Sequence, residues 1–166
     1  MQVKTFLVGI STLMSSFFFL QSCYFESQAP TNVKEKGAWL SLEEAISVSQ
    51  KSEQFILVDV YTDWCKWCKV MDEKTFSDPS IKSYLADNFH LSKFNAEQRT
   101  PIKFNGKSYE YVKGQRRGYN QLAAHLLKGQ LSYPSFVILN HELEVVKSFR
   151  GFKTPDQLMS LLSELG

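Results

Sequence analysis

Apolar and polar positions along the chain divide it into short hydrophobic runs and amphipathic stretches separated by turn residues. An uncharged apolar run rich in Phe and Leu covers 5–20, and a polar stretch follows to about residue 36. Ser41 with Glu44 three residues on has the pattern of a capping box, which predicts a helix reaching about residue 51. Residues 55–61 are mostly apolar and rich in β-branched side chains, as in a strand buried on both faces. Thr62, Asp63 and Trp64 then turn the chain into a helix predicted over about 65–76. Asp78 before Pro79 places an N-cap ahead of a proline at the first helical position, so a further helix is predicted over 79–87. Residues 89–95 alternate and read as the next strand.

The stretch 100–117 interrupts this rhythm. Asn105-Gly106 is a tight hairpin signal, and two short strands are expected on either side of it. A helix is predicted over 118–128, a strand over 135–140, a turn at Asn140, His141 and Glu142, and a strand over 143–149. Thr154 and Gln157 form a second capping box, with Pro155 opening the last helix. Strands separated by helices need crossovers and so run parallel, whereas the last two, joined by a short turn, run antiparallel. The expectation is an α/β fold with a mixed central sheet flanked by helices and an extra β-hairpin inserted around 100–117.

Composition changes this picture little. The 166 residues suffice for one domain with a real core, and 43% hydrophobic with 22% charged residues is ordinary globular usage. A formal net charge of +2, with no basic block interleaved with aromatics, argues against nucleic acid as a partner. The N-terminus is more informative. Lys4 followed by the apolar run at 5–20 reads as an export signal over 1–22, too short for a typical spanning helix, which needs about 20 apolar residues. Leu20-Gln21-Ser22-Cys23 resembles the lipobox of bacterial lipoproteins. That resemblance implies cleavage before Cys23 and its lipidation; a simply cleaved signal or an uncleaved anchor would also fit the apolar run. Residues 23–36 then read as a lipidated cysteine with a flexible tether, and 37–166 as the folded domain.

With Cys23 lipidated, only Cys65 and Cys68 remain of the three cysteines. A disulfide across two residues closes too small a loop to stabilise much, so chemistry explains the pair better than stapling. Cys65 sits where a buried strand gives way to a helix. The unpaired N–H groups and partial positive charge of a helix N-terminus favour a thiolate, the nucleophilic form. Cys65 is therefore the expected attacking sulfur and Cys68, one turn further in and more shielded, the resolving one. Lys66 adds positive charge, and Trp67 narrows the space between them. A zinc site would need two more ligands, and His90, His125 and His141 show no paired spacing. Copper handling and an inert local disulfide also fit a lone Cys-x-x-Cys. Asp59 lies on the apolar strand, where a carboxylate is costly unless it is paired or used. Burial would raise its pKa and suit it to take a proton from Cys68. Lys93 on the next strand is a candidate partner for it. Lys113, Arg116 and Arg117 read as a solvated basic loop beside the hairpin.

These residues carry a resemblance to a known family. Leu57 through Cys68 resembles the active-site strand and turn of thioredoxins, with Asp59 at the family's buried acid and Lys93 at its neighbouring lysine. Tyr133-Pro134 resembles the cis-proline loop facing the cysteine pair, and Gly151 the glycine after the last strand. The stretch from Lys74 to Pro79 is similar to the exported C-terminal thiol-reductase domain of DsbD electron transporters. The resemblance implies a thioredoxin fold and a protein-disulfide reductase with Cys65, Cys68, Asp59 and Pro134 as catalytic residues. Trp64, Trp67, Tyr133 and Pro134 would bind substrate, the Tyr133 backbone pairing with an extended segment. It implies no bound cofactor or metal. The partners would be disulfide-containing exported proteins and a thiol electron donor, in the periplasm or cell envelope, with a membrane reached through Cys23. A disulfide oxidase or isomerase, or a non-catalytic binder such as a copper chaperone, are the competing functions.

Overall fold

The computed structural model describes residues 35–164; the stretch expected to be an export signal, Cys23 and nearly all of the expected tether lie outside the described residues. A short strand β1 (Trp39–Leu40) leads into helix α1 (Leu42–Ser52), then β2 (Phe55–Tyr61), α2 (Lys66–Lys74), α3 (Pro79–Asn88) and β3 (Phe89–Asn95). Four short strands follow: β4 (Ile102–Phe104), β5 (Lys107–Tyr109), β6 (Tyr111–Val112) and β7 (Tyr119–Asn120). Helix α4 (Gln121–Leu126), strands β8 (Ser135–Leu139) and β9 (Val145–Arg150), and helix α5 (Pro155–Ser163) complete the chain.

The main sheet has the order β1-β3-β2-β8-β9. The three early strands are parallel, and β8 and β9 join antiparallel, as the connection lengths required. The period-2 alternation of β2 sorts its side chains between two cores. Ile56, Val58 and Val60 pack with residues of α1, α4 and the inserted strands, whereas Leu57 packs with residues of α2, α3 and α5. Asp59 shares the Leu57 face and so lies toward α2. The register sets it directly beside Lys93 of β3.

Local rules account for the helix starts. Ser41 and Thr154 close full capping boxes with Glu44 and Gln157. The Asp78 carboxylate accepts from the backbone N–H groups of Ser80 and Ile81 with Pro79 in the first turn. Three boundaries differ from expectation. The helix predicted over 118–128 is shorter, because Tyr119 and Asn120 pair with β6 as a second hairpin and Asn120 caps the helix instead. The last strand starts at Val145, because Asn140 folds residues 140–144 into a loop. Its side chain accepts from Glu144 N–H at 2.8 Å, and Leu143 takes a positive φ of 66°. Strand β1 has two residues, too few to show a period. The Asn105-Gly106 hairpin forms as expected, with both residues at positive φ.

Candidate active site

Cys65 is the N-cap of α2. Its N–H donates to the Thr62 carbonyl at 3.1 Å, and its sulfur accepts from the Cys68 N–H at 3.1 Å. The end of β2 and the 62–64 turn thus hold Cys65 at the helix terminus. The two cysteines are joined in a disulfide with Cα atoms 5.3 Å apart. Cys68 is not the more shielded of the two in this oxidised state: each residue is 4% exposed. Any difference in access between the two sulfurs therefore has to follow reduction.

A charged group links the sheet to α2, the helix that Cys65 caps. Asp59 is 1% exposed, and its Oδ2 is 3.4 Å from Lys93 Nζ. The same ammonium bonds Asp72 of α2 and sits between two rings, 5.2 Å from the centroid of Trp39 and 5.5 Å from that of Tyr61. Asp59 Oδ1 has no hydrogen-bond partner. Burial raises the Asp59 pKa to about 7, with Lys93 working against the rise and Asp72 adding to it. A buried carboxyl that titrates near neutrality can hold or release a proton during thiol chemistry. Asp72 went unnoticed in sequence. It follows Cys68 by four residues, the helical spacing that puts both on one face, and that spacing was the available signal.

Two aromatic pairs involve the tryptophans next to the cysteines in sequence. Trp64 meets Tyr133 edge-on, with centroids 6.0 Å apart, and donates from Nε1 to Glu97 Oε1 at 2.9 Å. Trp67 packs on Phe152 at 5.5 Å. Trp64 and Trp67 nevertheless remain 46% and 60% exposed, which leaves apolar surface at the rim. Tyr133 and Pro134 are joined by a cis peptide bond. The Pro134 carbonyl accepts from the Gly151 N–H at 2.8 Å, and Gly151 needs its φ of +77° to turn there. Burial first, then Glu97, pushes the Tyr133 hydroxyl up to about 12, so it stays protonated.

Arg117 stays largely solvated, as expected of its loop, but it also reaches the site. Its guanidinium lies over the Trp64 ring, 4.4 Å from the centroid, and 4.0 Å from Glu97. Glu97, Phe152 and Arg117 are site neighbours that sequence reasoning missed as such, because none belongs to a local motif. Among the described residues, no group of three or more His, Cys, Asp or Glu side chains converges as a metal site.

A five-stranded mixed sheet, a Cys-x-x-Cys at a helix N-terminus, a buried acid beneath and a cis-proline loop define the class of thioredoxin-fold proteins with a CxxC centre. Comparison with known proteins agrees. The profile of the thioredoxin-like family matches residues 38–140, and the chain belongs to that family. It is 36% identical over 66 residues to a protein named thiol:disulfide interchange protein DsbD from Photorhabdus laumondii subsp. laumondii. That match covers 40% of this chain and 11% of the relative, so the chain spans only a small part of the curated relatives it matches. In structure it is similar to a DsbH oxidoreductase, with a TM-score of 0.56 at 18% identity over 76% of this chain and 82% of the other. A thioredoxin from Thermus thermophilus superposes with a TM-score of 0.57 at 18% identity, covering 79% of this chain and 88% of that one.

Proposed function

We propose that the chain is an exported thiol–disulfide oxidoreductase that reduces disulfides in other exported proteins. The observation that carries this reading is Cys65 as N-cap of α2, bonded to Cys68, with Asp59 buried under the same helix. In the reduced enzyme the Cys65 thiolate attacks one sulfur of a partner disulfide. A Cys65–partner bond forms, the partner S–S bond breaks, and the leaving sulfur takes a proton. Cys68 then gives its proton to Asp59 and attacks the Cys65 sulfur. The intramolecular disulfide forms, the second partner thiol leaves, and two electrons have passed from the pair to the partner. A dithiol donor protein has to return them. Trp64, Trp67, Tyr133 and Pro134 would form the groove for the partner segment, the Tyr133 backbone pairing with it as an added strand.

Reductase rather than oxidase rests on the resemblance of Lys74 to Pro79 to the thiol-reductase domain of DsbD transporters; the DsbD-named relative is named only for thiol–disulfide interchange. Related centres span from about −270 to about −120 mV, so the potential sets the direction. The decisive assay is insulin reduction with dithiothreitol as donor, read by turbidity. Wild type is expected to accelerate it, Cys65→Ser to abolish the acceleration, and Cys68→Ser to accumulate a mixed disulfide visible by mass. Equal turbidity with wild type and Cys65→Ser would rule out the enzyme. Equilibration with glutathione near −120 mV would make it an oxidant instead.

A further inference from the structure

The inserted region is charged unlike the rest of the chain. Residues 97–120 hold six basic side chains (Arg99, Lys103, Lys107, Lys113, Arg116 and Arg117) against the acidic Glu97 and Glu110. That is +4 in a chain of net +2, which leaves the remainder at −2. Such a concentration could be a solvated surface with no task, and its position argues otherwise. The insertion is pinned to the end of β3. Asn120 N–H donates to the Ala96 carbonyl at 2.7 Å, and its side-chain amide reaches the carbonyls of Gln98 at 3.2 Å and Tyr109 at 3.4 Å. From that mount the loop between β6 and β7 lays Arg117 on Trp64, the residue immediately before Cys65. The basic edge therefore begins one residue from the reacting sulfur.

Its charges are largely unspent. Lys113 and Arg116 are exposed and make no ion pair among the described residues. Arg117 keeps 58% of its side chain in solvent, with Glu97 at the outer limit of pairing distance. Arg99 stacks on Tyr111 at 5.5 Å, which holds a fourth cation at the base of the same loop.

We infer that this inserted basic edge docks acidic protein segments lying beside the disulfide to be exchanged, with Lys113, Arg116 and Arg117 as specificity-determining residues. The inference rests on the redox function proposed above and names its substrate class. A partner must carry a disulfide or dithiol, which selects protein over nucleic acid or lipid. Opposite charge along the groove raises encounter rates by about 10–10³-fold at low salt, and the effect fades as the Debye length shrinks from about 30 Å at 0.01 M toward 3 Å at 1 M.

The test uses the reduced full chain and three substrates: a cyclic cystine peptide flanked by Glu, the same peptide flanked by Lys, and uncharged hydroxyethyl disulfide. Each peptide rate is divided by the same protein's rate on hydroxyethyl disulfide. Wild type is expected to favour the Glu peptide by about tenfold at 10 mM ionic strength, shrinking toward unity at 0.5 M. The double variant Lys113→Gln/Arg116→Gln is expected to lose at least two-thirds of that preference. Equal normalised rates for the two peptides with wild type overturn the inference, as does an undiminished preference in the variant. If the variant does not fold, the wild-type ratio and its salt dependence still decide. Co-sedimentation with phosphatidylglycerol vesicles that depends on Lys113 and Arg116, without peptide discrimination, assigns the edge to lipid and overturns the inference too. Inertness toward all three substrates removes the redox function itself, and this reading with it.

Discussion

Asp59 shows how far one side chain can be governed by its surroundings. Its pKa is about 7 in the fold against 3.8 for an ordinary aspartate, because burial opposes the charge more than Lys93 supports it. Between these values the folded state holds a proton that the unfolded chain has released. Stability conferred at low pH is therefore lost as pH rises from about 4 to about 7, by up to about 4 kcal/mol. Asp59→Asn is expected to remove that slope. Urea unfolding of the oxidised protein should find the variant close to wild type at pH 4 and more stable at pH 8. A stability difference between variant and wild type that does not change across this interval would contradict the assignment. Exchange by the variant should also be slower, since Cys68 loses its proton acceptor. The presence of an acid on an apolar strand was legible in sequence. Lys93 as its partner was legible too; the rest of the clamp was not, since Asp72, Trp39 and Tyr61 come from a helix and two strands and only packing brings them to one ammonium.

At the scale of elements, Asn120 bears more than its neighbours. It caps α4 by accepting from Leu122 N–H at 2.9 Å while its amide N–H groups cross-link the base of the insertion. It is fully buried. Asn120→Ala removes a cap, usually about 1 kcal/mol, and leaves buried carbonyls short of donors at roughly 1–3 kcal/mol more. A loss of about 2–4 kcal/mol is expected in denaturant unfolding, together with faster amide exchange in β4 to β7. A change below about 0.5 kcal/mol would mean the insertion is held elsewhere. Helices and long strands were readable because each start is written in adjacent residues: Ser41 with Glu44, Asp78 with Pro79, Thr154 with Gln157. The β6–β7 pairing was not. Tyr111–Val112 and Tyr119–Asn120 are two-residue strands, below the length at which alternation means anything, and Asn120 is also tied to the Ala96 carbonyl just past β3.

At the scale of the whole molecule, the proposed anchor at Cys23 lies outside the described residues and has a direct check. Expressed in a bacterium with lipoprotein processing, the protein is expected in the membrane fraction with a mass corresponding to residues 23–166 plus lipid. Cys23→Ser should move it to the soluble fraction. An unmodified Cys23 in the mature protein would end the lipoprotein reading. The sequence by itself marked the Cys-x-x-Cys centre and the order of the helices and longer strands. A Cys-x-x-Cys between a buried strand and a helix is a local arrangement, and local hydrogen bonding, capping and hydrophobic period place it. The tertiary structure alone decided the setting of that pair. To the Asp59–Lys93 pair expected from sequence, α2 added Asp72, and the insertion carried Arg117 back onto Trp64 across 53 positions of chain. Contacts at such separation are set by how buried faces pack and by where the chain's ends are tied, and neither leaves a periodic mark in the residues themselves.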